Sequence, residues 1–216
     1  MPHAWDGATP LEETLEALAA AVKAGQVRAL GCSNFSGAQW RQACGLAEAK
    51  SWPRFEFDQV EYSLAARAAD GDVLPAAAAL GASILAWSPL AGGFLTGKYS
   101  GAARPPGRRK DPARAFPPLD EARFSGVTKV LSRVAARAAA APAAAALAWV
   151  LSRPGVAAAV VGARSVRQLK EDLALKSLSA QEIGFLDQAS ALCSRYGSKG
   201  PDAPGPSGPK QGASRP

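Results

Sequence analysis

Residues 27–62 read VRALGCSNFSGAQWRQACGLAEAKSWPRFEFDQVEY, and two short apolar runs, 27–32 and 55–60, flank a helical pattern at 36–49. Apolar runs of this length, bounded by turn residues, predict strands. A parallel connection between neighbouring strands needs a crossover, which is usually a helix. The stretch therefore predicts a βαβ unit with two parallel strands.

The same alternation continues towards the C-terminus. Helical patterns occupy residues 66–80 and 120–152, the second interrupted at Pro142, and further strands are predicted at 82–87 and 157–161. Proline removes a helical hydrogen bond and clashes with the preceding turn, so Pro142 divides its segment into two helices.

Capping residues mark the remaining helices. Thr9 is the predicted N-cap of a first helix, with Pro10 at the first helical position, Glu12 in the capping-box position and Gly25 at the end. Two later helices are predicted from the pairs Ser165 with Gln168 and Ser179 with Glu182.

One helix followed by four strand–helix units suits half of an eightfold barrel or a small open α/β sheet. The glycine-rich fingerprint G-x-G-x-x-G of doubly wound dinucleotide folds does not follow the first predicted strand. Polar residues instead follow every predicted strand, as the catalytic face of a barrel requires. We therefore predict an α/β fold, a partial (β/α)8 TIM barrel corresponding to about its second half.

The charge of the chain is unevenly distributed. The 216 residues carry a net charge of +7, and residues 100–118 and 195–216 account for all of it. The rest of the chain is neutral, and only Tyr196 is an aromatic residue interleaved with the charges of the tail. A nucleic-acid-binding function is thus the weakest hypothesis.

Cysteine usage and hydropathy indicate a cytoplasmic protein. Cys32, Cys44 and Cys193 are an odd number at wide spacings, which argues against a disulfide framework or a zinc site. The first residues lack the pattern of a secretory signal. The alanine-rich stretch 134–151 contains Arg137 and Pro142, so we expect a soluble helix pair and no membrane insertion.

Four segments at predicted strand ends together resemble a known family. They are GCSNF at 31–35, QVEYS at 59–63, WSPLAGGFLTGKY at 87–99, and GARS at 162–165 with Gln168, Glu171 and Asp172. In this order they resemble the second half of an aldo/keto reductase, over about residues 3–192. The third segment is similar to the branch that includes the potassium-channel β-subunit-like reductases.

The resemblance implies a nicotinamide-dinucleotide site. Ser33, Asn34 and Gln59 match the residues that hold the nicotinamide carboxamide, and Trp87 matches the aromatic residue that stacks on the ring. The matching pyrophosphate loop consists of small and apolar residues, followed by two cations that reach the phosphates. These residues are Ser88, Pro89, Leu90, Ala91, Gly92, Lys98 and Arg108.

The last segment implies a preference for NADP(H). Gly162, Arg164 and Gln168 match the adenosine-phosphate pocket, where a helix N-terminus and a guanidinium favour a phosphate. Glu171 and Asp172 match the pair that contacts adenine, but the family usually has Asn at the second position. A carboxylate accepts from the adenine amino group yet cannot donate to a ring nitrogen.

The family's reaction uses a tyrosine as proton donor, assisted by a lysine, an aspartate and a histidine. The resemblance places the first three before the region that this chain covers, and His3 matches the histidine. Tyr62, Tyr99 and Tyr196 do not match the catalytic tyrosine. Because little chain precedes it, we expect His3 to fray.

Taken singly, these residues have simpler explanations. Ser33 and Asn34 suit an ordinary strand-ending turn, Trp87 a core residue, and Ser165 a helix cap only.

We therefore expect an incomplete reductase domain over residues 1–196 and a disordered tail, rich in glycine, proline and serine, over 197–216. The expected function is reduction of a small-molecule aldehyde or ketone with NADP(H), in a chain truncated at its N-terminus. A homo-oligomer is the candidate assembly. The alternative is a non-catalytic, NADP(H)-binding regulatory subunit.

Overall fold

A computed structural model describes residues 1–99, 116–117, 119–121 and 124–191. The strands in this part of the chain are β1 (Leu30–Ser33), β2 (Phe55–Glu61), β3 (Ser83–Trp87) and β4 (Val156–Val160). The α-helices are α1 (Leu11–Lys23), α2 (Gly37–Ala49), α3 (Val73–Leu80), α4 (Ser125–Arg137), α5 (Pro142–Leu151), α6 (Val166–Leu173) and α7 (Ala180–Ser190). Two 3-10 helices occupy Ala68–Gly71 and Ala91–Thr96.

The four strands form one parallel sheet in the order β1-β2-β3-β4. This confirms the predicted α/β alternation and the parallel pairing, while closure into a barrel stays a prediction. The register aligns Ser33 with Gln59, Glu61 with Trp87, and Trp87 with Val160. The residues that follow the four strands consequently lie along one edge of the sheet.

Helices bury one face of the sheet. Ile84 and Ala86 of β3 are fully buried, whereas Ser83, Leu85 and Trp87, which alternate with them, are only half-buried. The large aromatic residues Trp40 of α2 and Trp149 of α5 are also fully buried. Because successive side chains of a strand point to opposite faces, the hydrophobic core lies on the helical side, and the predicted site residue Trp87 belongs to the more open side.

The start of α1 differs from the prediction. Thr9 is not its N-cap, because the helix begins at Leu11 after Pro10, without a side-chain cap. The Thr9 hydroxyl instead donates to Asp6 Oδ2 at 2.7 Å. The predicted end is confirmed, since Gly25 has a φ of +70° and its N–H donates to the Val22 carbonyl. Glycine adopts this left-handed conformation without a steric penalty.

Two other predicted boundaries also change. The segment 66–80 is a 3-10 helix followed by α3, and the segment that was predicted to begin at 120 begins at Ser125 as α4. Pro142 is the first residue of α5, as its fixed φ favours. The caps Ser165 and Ser179 are confirmed by the N–H groups that their side chains accept from.

In the described ranges no single helix is long and apolar enough to cross a membrane. The α4 and α5 pair reaches the required length and composition only when combined, and the two helices meet at 95°. Arg108, Cys193, Tyr196 and the predicted tail 197–216 lie outside the described residues.

Candidate functional site

Hydrogen bonds join the ends of β1 and β2. The Ser33 hydroxyl donates to the Gln59 carbonyl at 2.8 Å, and the Asn34 N–H donates to the same carbonyl at 3.0 Å. Asn34 has a φ of +57°, a conformation that asparagine tolerates better than most residues. The chain thereby turns sharply at the strand end, with Ser33 and Asn34 next to Gln59.

The side chain of Asn34 connects β1 to β3. Its Oδ1 accepts from the Trp87 indole Nε1 at 2.9 Å. Its Nδ2 donates to Ser33 Oγ at 3.0 Å and to the His3 carbonyl at 3.1 Å. These partners fix which amide atom faces which neighbour. The structure thus brings together Ser33, Asn34, Gln59 and Trp87, all of which the resemblance assigns to nicotinamide binding.

Two groups of the chain itself occupy this cluster. The Phe116 ring stacks on Trp87 with a centroid distance of 5.9 Å and an interplanar angle of 6°. The His3 carbonyl accepts a hydrogen bond from Nδ2 of Asn34. The Gln59 side-chain amide, in contrast, makes no hydrogen bond to any residue that the structure describes. A carboxamide ligand would find Gln59 available but would compete with His3 for Asn34.

His3 lies beside the cluster through its backbone, and its side chain is exposed. Trp5 helps to anchor this segment, because its ring packs edge-on against Phe35 at 5.2 Å. The expected fraying of His3 is therefore opposed by contacts to both Asn34 and Phe35.

The loop after β3 has an unusual backbone. Ser88, Ala91, Gly92 and Gly93 all have a positive φ. The Ser88 side chain accepts from the Gly92 N–H at 3.2 Å, and the N–H groups of Ala91 and Gly93 donate to the Ser88 and Leu90 carbonyls. Binding of a pyrophosphate by these N–H groups, as the resemblance implies for Ser88, Pro89, Leu90, Ala91 and Gly92, requires this loop to reorganise.

A cation lies directly against this loop. A Cβ atom placed on Gly93 would lie 3.3 Å from Cε and Nζ of Lys98, so the lysine packs on the glycine backbone. The Lys98 ammonium also lies 5.0 Å from the centroid of the Tyr99 ring. The predicted phosphate-binding lysine and loop are thus neighbours in the fold.

The segment after β4 forms the start of α6. Ser165 Oγ accepts from the Gln168 N–H at 3.2 Å, and the Gln168 side chain accepts from the Arg164 N–H at 2.9 Å. Gln168 therefore does not complete a capping box, because its oxygen is directed to Arg164. The register of β4 with Trp87 places Gly162, Arg164 and Gln168 at one edge of the sheet. The same edge carries Ser33, Asn34, Gln59 and Trp87, which we call the nicotinamide-type cluster.

Glu171 and Asp172, which the resemblance assigns to adenine binding, differ from each other in solvent exposure. Glu171 is half-exposed and forms an ion pair with Arg167 at 3.6 Å, whereas Asp172 is 9% exposed. Burial, with a contribution from the neighbouring Glu171 charge, raises the pKa of Asp172.

Sequence reasoning missed the acid Asp58 near the site and did not predict the burial of Tyr62. Asp58 in β2 is fully buried, although an acid within an apolar strand could have drawn notice. Tyr62 is fully buried, and its hydroxyl donates to Asp70. Burial and the Asp70 carboxylate raise the pKa of Tyr62, which makes it a poor proton donor.

Comparisons with known proteins agree with the geometry. The sequence model of the aldo/keto reductase family matches residues 1–191. The uncharacterized oxidoreductase YrpG of Bacillus subtilis is 37% identical over 179 residues, covering 82% of this chain and 52% of that protein. An aldo-keto reductase of Fusarium vanettenii is 33% identical over 86% of this chain and 50% of its own length. Protein tas of Escherichia coli is 31% identical over 83% of this chain and 53% of its own length.

The chain spans about half the length of these curated relatives. The family match, however, extends through all four strands and up to the end of α7. Together with the polar residues at the strand ends, it shows that this chain belongs to the aldo/keto reductase family of oxidoreductases.

Proposed function

We propose that this chain forms the dinucleotide-binding part of an NADP(H)-dependent reductase that converts aldehydes or ketones to alcohols. The main support for this proposal is the cluster in which Ser33 and Asn34 donate hydrogen bonds to the Gln59 carbonyl while Trp87 donates one to Asn34. Three strands contribute to this cluster, so the fold itself positions it.

The residues present fit a nicotinamide carboxamide. The Gln59 amide offers a donor and an acceptor, and neither is used by the described part of the chain. Asn34 and Ser33 lie beside it and would hold the carboxamide together with Gln59. Trp87 supplies a flat apolar surface for the ring, because its indole is held in place through Nε1.

When bound, the dinucleotide supplies the hydride for the carbonyl. The chain's own contribution is orientation, because hydride transfer needs one ring face to be directed at the substrate. Asn34 is rigidly oriented by three hydrogen bonds, to Trp87, Ser33 and His3. An immobile partner of this kind lowers the entropy lost when a ligand is positioned.

The phosphates would lie along the remaining strand ends. Lys98, which packs on Gly93, offers a positive charge beside the loop after β3. Arg164 and the capped start of α6 offer a guanidinium and a helix N-terminus after β4. An additional 2′-phosphate gains most from a guanidinium, which is why we propose NADP(H) as the cofactor.

The alternative, a non-catalytic NADP(H)-binding regulatory subunit, needs the same cofactor contacts but no proton donor, and the described tyrosines do not supply an exposed one. Tyr62 and Tyr99 are the tyrosines in the described ranges, and both are buried. His3 is the only proposed catalytic residue near the cluster. A regulatory role, as in the potassium-channel β-subunit-like branch, would need cofactor binding without proton transfer.

Fluorescence titration of the purified chain with NADPH and NADH tests cofactor binding, which both proposals require. We expect NADPH to bind more tightly and Arg164→Gln to weaken NADPH binding about tenfold, with little change for NADH. Arg167→Gln, which changes an exposed arginine in the first turn of α6, three residues after Arg164, is the matched control. Absence of binding for both nucleotides would refute the cofactor site.

Absorbance at the NADPH band during incubation with a panel of aldehydes separates the two functions. Oxidation of NADPH that depends on the aldehyde supports the reductase. Binding without oxidation supports the regulatory subunit.

A further inference from the structure

The carboxyl group of Asp58 is buried on the core side of the sheet, behind the nicotinamide-type cluster. Asp58 is fully buried in the middle of β2, directly before Gln59. In the described residues, neither of its carboxyl oxygens has a hydrogen-bond partner. An ionised carboxylate is very costly in such a place, because no cation or hydrogen bond compensates for the lost hydration.

The neighbours of Asp58 are the residues that build the site. Cys32 is its register partner in β1, and the next pair along the two strands is Ser33 and Gln59. Because side chains alternate along a strand, Asp58 and Cys32 face the core while Ser33 and Gln59 face the other side. The carboxyl is thus separated from the cluster only by the strand backbone.

The ionisable groups facing Asp58 give it no positive partner. In the described residues, the thiol that acts on Asp58 is that of Cys32 in β1, and Cys44 in α2 acts on Cys32; both thiols are buried. Burial and the Asp58 charge both raise the pKa of Cys32, and burial raises that of Cys44. Both thiols are therefore neutral, and the Cys32 thiol acts on Asp58 as a weak donor that lowers its pKa.

Backbone N–H groups provide the remaining polar surroundings. Those of Asn34, Phe35 and Gln59 act to lower the pKa of Asp58 from positions outside hydrogen-bonding geometry. Burial outweighs them and raises the pKa of Asp58 to about 7. The group consequently changes charge near neutrality, not near the ordinary value of 3.8.

We propose that Asp58 is a positioning residue through its charge state: while neutral it leaves the turn of Ser33 and Asn34 undisturbed, whereas its ionisation disturbs this turn and weakens cofactor binding. The inference rests on the proposed dinucleotide site. The Asn34 N–H now donates to the Gln59 carbonyl at 3.0 Å. An ionised Asp58 would compete for this N–H from the opposite side of the strand, since charged acceptors bind donors more strongly than neutral ones.

The first test is NADPH titration of the full chain between pH 5.5 and 8.5, with circular dichroism to verify folding at each pH. The wild-type dissociation constant should rise above pH 7 by up to about tenfold per pH unit, since one proton is linked to binding. Asp58→Asn should remove this rise. The 2′-phosphate of NADPH titrates near pH 6 in both proteins, so the difference between them isolates Asp58.

Two further variants make the comparison specific. Glu56→Gln makes the same chemical change on an exposed residue of β2 and should retain the wild-type pH profile. Asp58→Ala also removes the carboxyl but introduces no amide, so it should abolish the pH dependence as well. It replaces Asp58→Asn as the test if the amide of that variant disturbs folding. An identical profile for wild type and both Asp58 variants would overturn the proposal.

A second measurement does not require NADPH. Amide hydrogen exchange at residues 33–35, corrected for its intrinsic pH dependence, should lose protection between pH 6 and pH 8 in the wild type but not in Asp58→Asn. Unchanged protection in the wild type refutes the positioning role. If no protein binds NADPH but protection changes as expected, the proposed function fails while the role of Asp58 in the turn stands.

Discussion

The indole Nε1 of Trp87 donates to Oδ1 of Asn34 at 2.9 Å, across the end of the strand that lies between them. This bond connects the ends of β1 and β3, which are not neighbours in the sheet. It also orients both residues at once, since the indole plane and the Asn34 amide constrain one another.

Replacing Trp87 by phenylalanine tests this bond. The ring remains but the donor is lost, so Asn34 Oδ1 loses a partner and the amide can rotate. We expect a three- to tenfold weaker affinity for NADPH, which corresponds to about 1 kcal/mol for one hydrogen bond. Titration by filtration or calorimetry measures it. Trp52→Phe, which alters a half-buried tryptophan after α2, should leave the affinity unchanged.

Removing Phe116 should have the opposite effect. Its ring is 55% exposed and stacks on the Trp87 surface that the nicotinamide is proposed to use. Because an aromatic pair contributes about 1 kcal/mol, Phe116→Ala should tighten NADPH binding about fivefold. Phe185→Ala, which removes another exposed ring on α7, serves as the control. Weaker binding in Phe116→Ala would show that this ring contributes to the ligand site.

Asp172→Asn should stabilise the protein at neutral pH. The pKa of Asp172 is raised in the folded state, so the unfolded chain ionises first as the pH rises past 3.8. The carboxyl therefore costs stability above that pH and costs none well below it. Urea unfolding should show a higher midpoint for Asp172→Asn at pH 7.5 and an unchanged one at pH 3.

The exposed acid Glu16 supplies the comparison, because Glu16→Gln should leave the midpoint unchanged at pH 7.5. If the cofactor site is as proposed, Asp172→Asn also binds NADPH about fivefold more tightly, since the amide can donate to an adenine nitrogen.

Asp187→Ala should destabilise the fold strongly. Its carboxylate accepts from the Trp149 indole at 3.1 Å and from Arg153 at 3.1 Å, and it pairs with Arg67 at 3.4 Å. Removing it leaves two largely buried guanidinium groups without this partner, so we expect a loss of about 2 kcal/mol in urea unfolding. Glu12→Ala breaks an exposed ion pair with Lys50 and should cost less than about 0.5 kcal/mol.

Repeated local patterns made much of the fold predictable. The apolar run at 55–60 became β2, Ser165 and Ser179 became caps, and Gly25 ended α1, because each depends on residues close in sequence. Thr9 failed as a cap since Asp6, three residues earlier, takes its hydroxyl. Short-range patterns cannot rank two competing local bonds.

The sequence predicted which residues belong to the site but not which contacts they make. The motifs placed Ser33, Asn34, Gln59 and Trp87 at strand ends, and parallel pairing implied a common edge. The stacking of Phe116 and the contact of the His3 carbonyl depend on where distant segments return in space. The isolation of Asp58 depends on the packing around it, which no spacing rule expresses.

The bonds from Arg67 to α7 have a consequence for the order of folding. Arg67 donates to the Asp187 carbonyl and to Ser190, which are 120 and 123 residues farther along the chain. Closing a loop of this length costs chain entropy before the contacts are gained, which slows folding. During synthesis, Arg67 and Trp149 leave the ribosome before α7 exists, so their final packing waits for the last described helix. Nascent chains that end before Asp187 should therefore be more sensitive to proteases than chains that include α7.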